Sequence, residues 1–199
     1  EVEDHIAKLK AQLYLTMFDP LKTISVGEIL SQLNQVKKLL RDNFNGLYAE
    51  VLESFIDKVK IFKTHFATLD IRQNHTEHKN IITQILKNEH RINNSLEELS
   101  KQDLVSILVC EKFDLHPDHF KEEIVKDTIQ TIEQIKCIQE KNGEAGCNRY
   151  IISNSEDIFS VLYVFALLRW CGWKNEPIPV DIVPLFESMG GMKHAESIM

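Results

Sequence analysis

Glycine and proline are scarce in this chain, seven and five in 199 residues. That shortage disfavours an all-β sandwich, which needs many tight turns, and points to long helices. Cysteine is rare as well. Cys110, Cys137, Cys147 and Cys171 form no Cys-x-x-Cys pair, so they suggest neither a zinc nor a redox motif, and scattered thiols fit a reducing cytoplasm. Positive charge is in deficit, 23 Lys and Arg against 30 Asp and Glu for a net −7. A dedicated nucleic-acid binder, which neutralises phosphates with clustered Lys and Arg, is disfavoured. The longest apolar run, Ile158 to Trp173, is broken by Ser160 and Arg169 and is short for a bilayer span. The acidic start, Glu1-Val2-Glu3-Asp4, has no apolar signal core. There is no P-loop, no dinucleotide glycine fingerprint, no Gly-x-Ser-x-Gly elbow and no basic–aromatic patch.

What the chain does have is helical periodicity in an ordinary globular composition, 43% apolar and 27% charged. One stripe runs through Val2, Ile6, Leu9 and Leu13. A second runs from Val26 to Leu40 behind a Ser25/Glu28 capping box, and a third through Leu47, Val51, Leu52, Phe55, Val59 and Phe62. Later stripes pass through His78, Ile81, Ile82, Ile85 and Leu86, then Leu104, Ile107 and Leu108 behind Ser100/Asp103. The last passes through Phe120, Ile124, Thr128, Ile132 and Ile135. Helix is therefore expected over 1–62 and 77–140.

Three stretches break this pattern and read as strands near 65–72, 150–153 and 180–187. In the first, Ala67, Leu69 and Ile71 alternate with Thr68, Asp70 and Arg72; the second is Tyr150-Ile151-Ile152-Ser153; the third runs from Val180 to Glu187. Pro184 cannot donate to a ladder, so an edge, a bulge or a strand end is expected beside it. Each strand finishes on a polar residue, Arg72, Ser153 or Glu187, and is followed by helix-compatible sequence. Parallel α/β folds build their sites from such strand ends. The expectation is one partial domain over 1–199, mostly helical with a few short parallel strands. Three strands cannot close a barrel, and the lack of an initiator Met suggests a piece of something longer.

Arg72 offers a fork of donors suited to phosphate or carboxylate, with Asp70 on the same face to hold it. The plainer alternative is a structural Asp–Arg pair. Glu187 leaves an apolar strand, where a carboxylate needs a cation, a metal such as Mg2+, or solvent. His75/His78 and His116/His119 have His-x-x-His spacing, but no further ligand completes a set, so hydrogen-bonding histidines are favoured over a metal role.

Taken together, Leu69-Asp70-Ile71-Arg72-Gln73 with His78, Tyr150-Ile151-Ile152-Ser153, and Val183-Pro184-Leu185-Phe186-Glu187-Ser188 resemble the middle third of phosphoenolpyruvate carboxylases in order and spacing. The resemblance implies a partial α/β barrel cut from a longer enzyme. It also implies a parent that converts phosphoenolpyruvate and bicarbonate into oxaloacetate and phosphate, a cytoplasmic carboxy-lyase that is a homotetramer when full-length. By motif, Arg72 contacts the substrate's anionic groups and Glu187 is one of two acidic ligands of Mg2+ or Mn2+. Asp70, Gln73, His78 and Ser153 support them. Asn74-His75 and Ser188-Met189-Gly190-Gly191 depart from the family pattern beside the site. The resemblance places the catalytic histidine upstream and a glycine–arginine loop, a lysine and the second metal carboxylate downstream. No catalytic residue is expected within 1–199, and the isolated chain is expected to be inactive. The competing readings are a non-enzymatic helical interaction module without parallel strands, and a different barrel enzyme acting on phosphoenolpyruvate or pyruvate.

Overall fold

The computed structural model describes residues 1–174 and 177–198. Contacts divide the chain into two compact units, residues 1–67 with 141–146, and residues 68–140 with 147 onward.

The first unit holds three helices, α1 (Val2–Phe18), α2 (Val26–Asn43) and α3 (Ala49–Phe62). The box at the start of α2 forms as the sequence suggests. The Ser25 hydroxyl accepts from the Glu28 amide at 3.1 Å, and Glu28 accepts the Ser25 amide at 2.7 Å. The Ser25 amide, and then the Ser25 hydroxyl donating to the same carboxylate at 2.7 Å, hold the Glu28 carboxyl below its usual pKa. The core is Leu9, Ile29, Leu33 and Ile56. On α3 the buried residues are Ala49 and Ile56, while Val51 and Phe55 are exposed. That helix is apolar on two faces, so periodicity alone could not say which one turns inward. Thr64 and Asn142 tie the unit with reciprocal hydrogen bonds of 2.7 Å.

The second unit is built on three strands and the helices that follow them. Its elements are β1 (Asp70–Asn74), α4 (His75–Asn88), α5 (Lys101–Cys110), α6 (Glu123–Asn142), β2 (Arg149–Ser153), α7 (Ile158–Cys171), β3 (Asp181–Pro184) and α8 (Met189–Ile198). The last residues of α6 fall in the first unit. The sheet order is β1-β2-β3 and both pairings are parallel, with Asp70 opposite Arg149, Arg72 opposite Ile151, and Ile151 opposite Val183. A helical module without parallel strands is thereby excluded.

The first strand lies further along the chain than its alternation suggested. β1 starts at Asp70 because β2 starts at Arg149 and offers no partner before that register. Residues 64–67 turn instead, with Phe66 at φ 61° and its amide on the Phe62 carbonyl at 2.8 Å. Arg72 is therefore the middle residue of its strand. β3 stops at Pro184, where the missing N–H ends the regular ladder, although Leu185 still donates to Ile152 at 2.9 Å.

Alternation gives the sheet two unlike faces. Tyr150 and Ile152 point into a core with Ile81, Ile85, Leu108, Ile132 and Leu167, all fully or nearly fully buried. Asp70, Arg72, Arg149 and Asp181 are exposed; by the alternation Asp70, Arg72 and Arg149 share the opposite face. α4 is capped by Asn74, whose side chain accepts from Thr76 at 2.8 Å. Asp157 caps α7 by accepting from Phe159 and Ser160 at 2.9 and 3.3 Å.

Candidate functional site

Arg72, from the middle of β1, meets Glu187, which lies three residues past the end of β3 rather than on the strand the sequence suggested. Arg72 Nη2 stands 3.7 Å from Glu187 Oε2, with the side chains 58% and 39% exposed. This is an ion pair beyond hydrogen-bond range, and an open pair of this kind holds its partners weakly. Glu187 is steadied from behind, because its Oε1 accepts the Asn154 amide at 3.1 Å. Asn154 can present that amide because it sits at φ 54°, a left-handed conformation that Asn tolerates. Ser155 carries the pairing of β2 and β3 past their ends by donating its amide to Leu185 at 3.1 Å. The first turn of α8 packs closely behind it. A Cβ at Gly191 would stand 2.7 Å from the Ser155 carbonyl, so only glycine fits there without a shift.

Asp70 does not hold the Arg72 fork. Its Oδ1 accepts from Arg149 Nε at 2.9 Å, because the register places those two residues side by side on one face. Arg72 is left to face Glu187. Gln73 turns back on its own backbone, its Oε1 accepting from the Asn74 amide at 2.8 Å. Ser153 Oγ reaches the Gln73 carbonyl at 3.4 Å, joining the ends of β1 and β2.

His78 lies on the helical side of the sheet. It is wholly buried, with Nε2 3.1 Å from the Tyr150 hydroxyl. Burial, with a smaller contribution from the nearby His75, pushes its pKa down to about 4, and burial raises that of Tyr150. Its Nδ1 is buried without a hydrogen-bond partner among the described residues. His75, at the start of α4, has Nδ1 2.8 Å from Ser160 Oγ. The first His-x-x-His pair thus resolves into two separate hydrogen bonds. His116 and His119 sit edge to face at 5.2 Å, with Asp114 3.5 Å from His116.

As a cation site the arrangement is incomplete. Among the described residues no cluster of three or more His, Cys, Asp or Glu side chains could hold a metal. Glu187 is the carboxylate facing Arg72, and both its oxygens are engaged, by Asn154 and Arg72. A divalent ion asks for more oxygen donors than one occupied carboxylate supplies. The residues present therefore do not fit a metal by themselves. They do fit an oxyanion, for which a half-exposed guanidinium with only a loose partner is a ready ligand.

The sequence reading passed over Asn154 and Ser160. An asparagine directly after a strand was the available signal for the first; the second lies within an apolar helix and only the fold reveals its partner.

The family model described as phosphoenolpyruvate carboxylase matches residues 4–199. Among curated relatives, the phosphoenolpyruvate carboxylase of Gloeobacter violaceus is 29% identical over 180 residues, covering 86% of this chain and 19% of that protein. That of a Synechococcus is 31% identical over 172 residues, 81% of this chain and 16% of that protein. That of Paraburkholderia xenovorans is 28% identical over 166 residues, 77% and 17% respectively. The chain thus spans less than a fifth of the length of the relatives it matches.

Proposed function

This chain belongs to the phosphoenolpyruvate carboxylase family, and from that premise we propose that it is the central segment of such a carboxylase. In this reading β1, β2 and β3 are consecutive strands of a larger α/β barrel, and both units are parts of one larger domain. The observation that carries it is that Arg72, from the middle of β1, reaches Glu187 just past β3 at 3.7 Å, on the carboxyl side where parallel α/β folds place their chemistry.

The proposed reaction joins two anions. Bicarbonate attacks the phosphorus of phosphoenolpyruvate, giving carboxyphosphate and the enolate of pyruvate; carbon dioxide from carboxyphosphate is then captured by the enolate, leaving oxaloacetate and phosphate. Fixed positive charge offsets the repulsion between the reactants and stabilises the charge shifting between them. Arg72 supplies part of it by taking the phosphate or carboxylate oxygens in its fork. Asp70 is tied to Arg149, so it does not compete for that guanidinium. An arriving oxyanion has to displace only Glu187, and the surrender of a weak exposed pair is a small price.

The family resemblance makes Glu187 one of two carboxylates on Mg2+ or Mn2+. In this chain it amounts to one donor, so no chemical step is assigned to a metal held here. Gln73, Ser153 and His78 are proposed to act through backbone placement, by joining the strand ends and fixing α4 behind the sheet. The parent is proposed to be a cytoplasmic homotetramer. No helix among the described residues is long and apolar enough to cross a membrane.

The 199-residue chain by itself is proposed to be inactive. Oxaloacetate formation, followed as NADH loss with added malate dehydrogenase, tests this: no turnover is expected at any Mg2+ or Mn2+ concentration, and metal-dependent turnover would overturn it.

A further inference from the structure

Contacts at the rim close into a ring. Arg72 faces Glu187 at 3.7 Å, and Glu187 accepts the Asn154 amide at 3.1 Å. Two residues on, the Glu156 amide donates to Ser160 Oγ at 3.3 Å, and that oxygen lies 2.8 Å from His75 Nδ1. His75 follows Arg72 by three positions, so the path returns to the segment it left. It links the start of α4 to the turn after β2, and that turn to the carboxylate after β3.

We propose that His75 is a positioning residue for this rim, fixing the Asn154–Glu156 turn through Ser160 and so fixing Glu187 opposite Arg72. The proposal rests on the oxyanion reading of Arg72 and adds how that site is held. Neither member of the His75–Ser160 pair is needed to cap its own helix, since Asn74 caps α4 and Asp157 caps α7. What the pair does is join the first turn of α4 to the first turn of α7. It does so where water cannot stand in: Ser160 is fully buried and His75 is 8% exposed. Tyr163 stacks on the imidazole with ring centroids 6.0 Å apart and planes within 24°, which fixes the plane in which Nδ1 points. The Glu156 amide takes one lone pair of the Ser160 oxygen. Its second lone pair and its proton remain to meet Nδ1, so the bond forms with either His75 tautomer.

Residue-resolved amide exchange by NMR on the 199-residue chain tests the ring. Asn154 and Glu156 report on it, and Asp181, whose amide bonds the Asn148 carbonyl at 2.7 Å at the other end of the sheet, is the reference. His75→Ala and Ser160→Ala should each speed exchange at Asn154 and Glu156 about tenfold while leaving Asp181 within about twofold. His75→Asn, whose side-chain amide can occupy the place of Nδ1, should restore protection. Unchanged exchange at Asn154 in both alanine variants would overturn the proposal, as would an equal rise at Asp181, which marks general loosening. Inorganic phosphate added to the wild-type chain separates the two claims. If the Arg72 Nε–H signal ignores phosphate while His75→Ala still frees Asn154, the oxyanion reading falls and the positioning role stands.

Discussion

The two units use apolar sequence differently. In the first, a small core of Leu9, Ile29, Leu33 and Ile56 coexists with exposed Phe18, Leu21, Tyr48, Val51 and Phe66. In the second, Ile81, Ile82, Ile85, Leu108, Ile129, Ile132 and Ile152 are sealed, with Trp170 and Trp173 among them. Amphipathic stripes are sufficient to form helices, but the sheet is what lets apolar residues from distant segments bury one another completely. The contrast implies unequal stabilities, and it can be measured because the chain's two tryptophans both lie in the second unit.

The largest expected effect is on the core of that unit. Ile132→Ala, at a site with no exposure, should lose about 2–5 kcal/mol and move the urea transition seen by tryptophan emission. Ile56→Ala in the first unit should leave that emission midpoint in place and move only the earlier part of the far-UV circular dichroism transition. Coincident shifts for both variants would erase the comparison.

Acid should act on the second unit as well. The pKa of His78 falls from 6.5 in the unfolded chain to about 4 in the fold, so the unfolded state binds more protons between those values. Stability is complete above pH 6.5 and drains as pH falls to 4, by roughly 3 kcal/mol at 1.4 kcal/mol per pH unit. His78→Leu should flatten that slope in tryptophan-detected urea unfolding at a series of pH values; an unchanged slope would assign the acid sensitivity to other groups.

Smaller effects sharpen the contrast from the other side. Ser25→Ala removes the cap of α2 and should cost about 1 kcal/mol, visible by circular dichroism and invisible to tryptophan. Arg72→Gln should change stability by less than about 1 kcal/mol, because its ion pair is exposed; a larger loss in urea unfolding would mark Arg72 as structural.

Legibility in the sequence followed the range of the interaction. The Ser25/Glu28 box, the Ser100 cap on Asp103 and the break at Pro184 depend on neighbours a few residues away, and all appear where the sequence placed them. The start of β1 depended on where β2 begins, so the alternation through Ala67 and Leu69 carried the reading too far back. The partner of Asp70 depended on register, which only the Asp70–Arg149 pairing reveals. The histidine pair looked like ligand spacing because Ser160 and Tyr150, the groups they bond, are distant in the chain. The face shared by Asp70 and Arg72 was legible, since a period of two needs no tertiary knowledge.

The central claim is that Arg72, and not its charged neighbour on the same sheet face, receives the substrate anion. Coupled oxaloacetate assays on the proposed full-length parent test it with Arg72→Gln against Arg149→Gln, substitutions that remove the same charge. The account expects Arg72→Gln to lower kcat/KM for phosphoenolpyruvate by about 100-fold or more while Arg149→Gln stays near wild type. Equal losses in the two variants, or an unimpaired Arg72→Gln enzyme, would contradict it.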